Sequence, residues 1–406
     1  MQITKSFLCF KYQEAIINTF VFFVLFFPVN LYYVYHVIIL IPLIVLFFIK
    51  KATLNTPVRL MLLFLGYWIV GDAIRLFCMG DNVRDFFEIF RFIPVLIFLL
   101  YKDFLKPQND TLIHIVCVYV LFNFFISLIQ FLFKDSSLLV HVIGSIYNSN
   151  IHFNESLLQN SRALGLSMGP NSNAIMVLLC IVFLWFKFKP KKTLAKLLKI
   201  SSVLAGILTI LLTQSQTGFI TLAVLIFYIF TLNLMRKPIL TLSFAFIFLV
   251  PFSLYFLNTS LISELGQKNG EFYYLSTLFE QGTERGSYQL RVEKRNEMIE
   301  KALSNPGYSL IGWGKDYFGD DTSATDNEHL YIVLVYGPLI WLAFVLVCFY
   351  YGAKYTLLYL KSGISNHLFI PVISLCWVVF AIPASFITYP ASFVLSILFL
   401  NYEDEQ

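Results

Sequence analysis

Residues 326–329 read Asp-Asn-Glu-His and stand immediately before an apolar run. Two carboxylates and an imidazole here can give or take a proton, the work of a general acid or base. Asp326, Glu328 and His329 are the candidates for that role, and Asn327 adds a hydrogen-bonding amide. Histidine, with an ordinary pKa of about 6.5, is better tuned as a base than aspartate at about 3.9, unless burial raises the aspartate. The plainer reading is a helix start. Thr325 and Glu328 have capping-box spacing, and Asp326 can serve as N-cap instead. His329 is not needed for capping. Gly337-Pro338 interrupts the run, which predicts that the true span begins at Pro338.

Upstream, "GSYQLRVEKRNEMIEKALSNPG" (286–307) reads as an amphipathic helix, with Ser287 as N-cap and Asn305-Pro306-Gly307 as the stop. Arg291 and Arg295 are four apart and share a face, and neither has a carboxylate three or four positions away. Glu297 precedes Lys301 by four, the favourable order for an ion pair. Guanidinium forks match phosphate geometry, so Arg291 is the first candidate for a phosphate contact, with Arg295 and Arg285 behind it. The alternative is pairing with the acids of the same loop.

Three more polar stretches flank apolar runs. "NSRALGLSMGPNSNA" (160–174) is a shaped Gly/Pro loop with Arg162 at its mouth, and Asn171 or Ser172 can cap the following helix. "TQSQTG" (213–218) is a tight turn containing Gln216. "DAIRLF" and "NVRDFFEIFRF" bring Asp72, Arg75, Asp85, Glu88 and Arg91 to the ends of two spans. There, Asp72 with Arg75 and Glu88 with Arg91 have the spacing for mutual neutralisation. Arg91 and Gln216 join the candidate substrate contacts. "GDDTSATD" (319–326) lacks calcium-loop spacing, and the six scattered cysteines fit neither a disulfide framework nor a zinc site, so no metal is expected. His36, His114 and His367 read as structural, and His141 and His152 show no ligand partners in sequence.

The elements that must position these groups are membrane spans. The chain has 406 residues, 58% hydrophobic and 13% charged, against about 25% charged in a soluble domain. Apolar runs of bilayer length recur and predict an all-α polytopic protein of about twelve spans. They fall near 14–28, 31–49, 58–77, 86–101, 111–133, 172–187, 197–214, 217–234, 238–257, 330–352, 365–383 and 387–401. Basic residues crowd four short loops, at 50–51, 187–196, 235–237 and 354–361, all on one side under this count. The positive-inside rule makes that side cytoplasmic, with both termini there. Polar stretches 134–171 and 258–328 then lie outside. This divides the chain into spans one to nine (1–257), a large outer loop (258–328) and spans ten to twelve (329–406). The net charge of +5 is a topology signal rather than a nucleic-acid one.

"SRALGLSMGPNSNA", "TQSQTGF", "LRVEKRNEMIEKALSNPGYSLIGWG" and "DNEHLYIVLVYG", in this order, resemble the O-antigen polymerase and ligase superfamily of bacterial inner membranes. The likeness covers roughly 160–340 by motif. It implies a helical, GT-C-like glycosyltransferase that needs no metal or other cofactor. The donor would be a glycan on undecaprenyl pyrophosphate, the acceptor a second lipid-linked repeat unit, and the active site periplasmic. A chain-length regulator is an implied partner. In the ligase branch a histidine generally precedes the asparagine; here Asp326 holds that position, which looks more like the polymerase branch. "SR" is common in the turn where this chain has Ser215-Gln216. The rival expectations are an O-antigen ligase, which transfers glycan to lipid A-core, and a flippase or other transporter of lipid-linked oligosaccharide. A transporter favours charges near the bilayer midplane and related halves. Here the halves look unlike each other and the charges crowd the outer mouth.

Overall fold

Leucine, phenylalanine, isoleucine and valine fill long runs interrupted by Gly, Pro and polar stretches, and those interruptions set the helix ends. The Asn55 side chain accepts a hydrogen bond from Val58 N at 3.1 Å, which starts the helix Thr56–Met79. Gly80, at φ +69°, ends it. Pro170 and Pro338 each stand in the first turn of a long helix, where the missing N–H costs nothing.

The computed structural model describes residues 2–28, 53–80, 85, 92–101, 110–134, 136–238, 286–319, 327–400 and 402. Every regular element among them is helical. We number α1 (Gln2–Phe26), α2 (Thr56–Met79), α3 (Ile93–Leu100), α4 (Asp110–Phe133), α5 (Leu138–Tyr147), α6 (Pro170–Lys187), α7 (Thr193–Leu212) and α8 (Gln216–Arg236). They are followed by α9 (Gly286–Leu303), α10 (Lys315–Phe318), α11 (Glu328–Tyr331), α12 (Pro338–Ser362), α13 (Phe369–Phe380) and α14 (Pro390–Leu400). π-helical turns occupy His152–Gln159 and Ile332–Tyr336.

Among the described residues six helices, α2, α4, α6, α7, α8 and α12, are long and apolar enough to cross a membrane. Their outer faces carry bare apolar side chains: Phe77 is 85%, Phe349 75% and Leu63 70% exposed. Patches of this kind need an apolar solvent. The architecture is that of an all-helical, multi-pass membrane protein. Of the remaining expected spans, 31–49 and 238–257 lie outside the described residues. The run at 14–28 is part of α1. Of the run at 86–101, residues 92–101 are described and hold the eight-residue α3. The last two runs appear as the short helices α13 and α14.

Helix α6 is apolar on all sides and buried along nearly its whole length, so it forms the core that the other helices surround. It packs on α4, α7, α8, α13 and α14. Gly206 lets α7 approach closely: a Cβ there would lie 2.6 Å from Ile181 Cγ1 of α6.

The hairpins define two ends. At one, Arg236 at the end of α8 stacks on Tyr359 near the end of α12, its guanidinium 5.1 Å from the ring. There too Lys187 Nζ donates to Tyr402 O at 3.1 Å. Lysines dominate this end. At the other end lie the start of α6, the α7–α8 turn, the start of α12 and the α13–α14 loop. An aromatic cluster braces it: Trp68 of α2 meets Tyr336 at 5.2 Å, and Phe92 meets Phe393 of α14 at 5.9 Å.

Candidate active site

Residues 161–167 form a loop that is buried throughout, at the second, polar end. Buried backbone must find partners, and polar side chains from one face of α4, together with Asn148 at the end of α5, supply them. Gln130 Oε1 accepts from Leu164 N (2.9 Å) and Gly165 N (2.7 Å). Asn123 Oδ1 accepts from Leu166 N (2.9 Å), while its Nδ2 donates to Asn173 Oδ1 (2.7 Å). Asn148 Nδ2 donates to Ser167 O (2.6 Å). None of these side chains was singled out from the sequence. The signal is present all the same: Asn123, Ser127 and Gln130 stand at i, i+4 and i+7 in an otherwise apolar helix, which puts three polar groups on one face.

Gly165 sits at φ +54°, and a Cβ there would lie 2.3 Å from Asn123 Oδ1 and 2.6 Å from Asn173 Nδ2. Gly165→Ala should therefore cost about 1–3 kcal/mol. It should also release the loop, read as lowered thermal stability together with faster proteolysis within 160–169.

The loop docks on the α7–α8 turn, some fifty residues away in sequence. Ala163 N donates to Leu212 O (3.0 Å), and Arg162 Nε to Thr213 O (3.3 Å). Ser215 Oγ accepts from Gly218 N (3.1 Å), capping α8, and donates to Asn171 Oδ1 (2.8 Å). Asn171 thus ties the two loops; the expected side-chain cap on α6 is absent, because Gly169 occupies the N-cap position. Ser161 (φ +54°) and Gln214 (φ +46°) both adopt the left-handed region, and Gln214 Nε2 donates to Ser161 O at 3.3 Å. Such backbone costs about 1–3 kcal/mol per residue and clusters at functional sites. Gln214 makes the bridge between loop and turn, and Gln216 is half-buried at the start of α8. Arg162 and the "TQSQTG" turn are therefore one unit.

Residues 327–337 make a second unit. Asn327 is the N-cap of α11, its side chain accepting from Leu330 N at 3.0 Å. This replaces the Thr325–Glu328 capping box. Glu328 turns inward instead, is 1% exposed, and accepts from Trp377 Nε1 (3.2 Å), Phe386 N (3.0 Å) and Thr388 N. Burial pushes its carboxyl above the usual carboxylate range, partly offset by the N–H donors. Glu328 therefore holds the α13–α14 loop in place.

His329 is similarly committed. Trp341 Nε1 is only a donor, so His329 Nδ1 accepts from it (3.1 Å). Nε2 then carries the proton and donates to Val378 O (3.0 Å). Both ring nitrogens are thus hydrogen-bonded within the fold. Gly337, at φ +99°, breaks the run and α12 starts at Pro338, as the sequence predicts.

The two units approach each other at Ser167, which lies close to Tyr119 and to Tyr389, next to Thr388. A third polar group braces them. Arg75 is 1% exposed, pairs with Asp72 as expected, and donates to Ile311 O (3.1 Å) and Gly312 O (3.0 Å). Both oxygens of Asp85 accept from Asp316 N at 3.1 Å. Burial raises the Asp85 carboxyl against the opposing effects of that N–H and of Arg75. Segment 310–316 is thereby held against the π-helical turn, where Trp313 N donates to Leu334 O (2.8 Å).

Arg291 and Arg295 are half-buried on α9, with Arg295 Nε donating to Arg291 O at 3.1 Å. Helix α9 begins at Gly286, so Ser287 lies inside its first turn rather than capping it. Glu297 pairs with Lys294 (2.9 Å), while Lys301 lies over the Tyr317 ring (5.3 Å). Tyr317 OH donates to Lys301 O (3.0 Å) and Trp313 Nε1 to Asn305 O (2.8 Å), which joins α9 to segment 310–318. Asp326, Arg285, Arg91, Glu88 and His36 lie outside the described residues. His114 Nδ1 is 2.6 Å from Asp110 O, His152 Nδ1 3.4 Å from Ser156 Oγ, and His141 packs on Phe153. Among the described residues no group of three metal-ligating side chains occurs.

Among the described residues, fold and polar end together define an all-helical membrane protein with six membrane-length helices and an ordered polar cap at one end. No protein-family profile matches the chain, and comparison with curated proteins finds no match.

Proposed function

We propose that this chain is an O-antigen-type polysaccharide polymerase, a GT-C-like enzyme working at the periplasmic face of a bacterial inner membrane. It transfers the growing glycan from undecaprenyl pyrophosphate to the next lipid-linked repeat unit. The observation that carries the reading is the docking of the 160–169 loop on the 213–216 turn. In it Arg162 lies beside a strained, hydrogen-bonded pair of loops, and Ser167 and Tyr389 lie between these and the loop that Glu328 anchors. Pieces quoted for the family likeness thus meet at one end. The lysines sit at the other end, which by the positive-inside rule supports an extracytoplasmic polar end.

In the reaction, the donor's anomeric C–O bond to pyrophosphate breaks and a C–O bond to the acceptor hydroxyl forms. The hydroxyl proton passes to a base, and undecaprenyl pyrophosphate leaves with the bonding electron pair. Guanidiniums offset the charge on the leaving diphosphate. Arg162 and Arg291 take this role, with Arg295, Arg285 and Arg91 behind them; Gln216 and Asn327 lie at the rim. Asp326 is the base. His329 is a positioning residue, because both of its nitrogens are spent within the fold.

Arg291→Lys keeps the charge but loses the fork and should lower polymer formation about a hundredfold. Asp326→Asn should abolish it. His329→Gln should lower stability and leave the shape of the pH–rate profile unchanged; loss of one limb of that profile would assign the base to His329. The reading itself is tested in cells lacking the protein. A polymerase defect leaves single repeat units on lipid A-core, a ligase defect leaves none, and a flippase defect confines repeat units to the inner leaflet. Either of the last two outcomes would replace the reading.

A further inference from the structure

The lysine-rich end holds a groove that the proposed transfer does not use. It has a volume of about 380 Å³ and lies between the end of α6, the start of α7 and the hairpin at Ser365. Trp185, Phe188 and Ile200 form its apolar wall, and Lys189, Lys196 and Lys199 reach its rim. Six lysines fall within residues 187–199, with no Asp or Glu among them. They flank the N-terminus of α7, the positive end of the helix dipole, so the local charge is of the wrong sign for the helix. An anion in the groove would reverse that penalty.

The surroundings say which kind of anion. Lys199 is already fixed, donating to Trp185 O (2.9 Å) and Phe188 O (2.7 Å), with its ammonium 5.6 Å from the Trp185 ring centre. It is a built part of the wall rather than a free surface chain. Directly beyond the groove, Leu197, Ile200, Leu204 and Leu208 of α7 form an exposed apolar stripe that runs away along the helix, and Trp185 is exposed beside it. A phosphate held among lysines, with an apolar track leading from it into the membrane, matches a phospholipid. Basic pockets between membrane helices on the cytoplasmic side recognise anionic head groups in this way.

We infer that this groove is a binding site for an anionic phospholipid, with the phosphate between Lys189 and Lys196 and an acyl chain along the Leu197–Leu208 stripe. Simple snorkelling of lysines to the interface is the competing account. It predicts weak, additive attraction and no site.

The test is native mass spectrometry of the purified, detergent-solubilised protein titrated with phosphatidylglycerol or phosphatidylcholine, and of its Lys189→Gln/Lys196→Gln variant. Lys199 is left intact because it caps α6. The native protein should retain phosphatidylglycerol over phosphatidylcholine, and the variant should lose about tenfold or more of that preference. Leu204→Gln, which interrupts the track and leaves the lysines, should also weaken retention. Equal retention by the double variant would overturn the site. Displacement of the lipid by inorganic phosphate, or an unaffected Leu204→Gln protein, would show a simple anion site and overturn the lipid assignment.

Discussion

Arg75→Met should destabilise the protein by about 3–5 kcal/mol, the usual cost of breaking a buried ion pair from one side. Asp72, 7% exposed, would be left as a buried charge without its guanidinium, and the carbonyls of Ile311 and Gly312 would lose their donors. The pair joins two parts of the chain more than two hundred residues apart, so the damage should spread to segment 304–319. Thermal melting in detergent reads the first effect, and limited proteolysis of that segment the second. Asp72→Asn combined with Arg75→Met should recover part of the melting loss, because the stranded charge is gone, while the protease sensitivity persists. A single variant that melts like the native protein would show that the bracing lies elsewhere.

Glu328→Ala should cost a comparable amount, also about 3–5 kcal/mol. Three N–H donors, from Trp377, Phe386 and Thr388, would face an apolar methyl, and each unsatisfied buried donor costs about 1–3 kcal/mol. Glu328→Gln retains one acceptor oxygen but turns an NH2 toward N–H donors, so it should fall between the two. The raised Glu328 carboxyl adds a pH signature. A folded pKa above the unfolded one contributes stability that is complete below about pH 4.3 and is lost as pH rises through the folded value. Glu328→Gln should therefore flatten the fall in stability on the alkaline side of that window. An equal slope in both proteins would mean that the carboxyl titrates normally.

Much of this architecture is written in local sequence. Pro170, Pro338 and Gly337 mark helix boundaries that hold, because proline and left-handed glycine act on their own backbone. Asp72 and Arg75 find each other because one helical turn separates them. The amphipathic helix of 286–303 and its stop at Asn305-Pro306-Gly307 are equally local. What was not legible is what tertiary contact decides. Glu328 has capping-box spacing, yet its carboxylate goes to backbone N–H groups some sixty residues away, and Asn327 becomes the cap. His329 looks like a well-tuned base until Trp341 and Val378 take both its nitrogens. Asn123, Ser127 and Gln130 were hidden in an apolar helix because each alone passes for an ordinary interhelical contact; only their common face shows that they support a buried loop.

The central claim is metal-independent glycan transfer between polyprenyl-pyrophosphate-linked units at the polar end of the bundle. It is met most directly by incubating the purified protein with synthetic undecaprenyl-pyrophosphate repeat units and resolving the products on a gel. The account predicts a ladder of lengthening glycans that persists in chelator and is lost in the Asp326→Asn protein. Folded protein that yields only the starting unit, or a ladder that Asp326→Asn leaves unchanged, would contradict it.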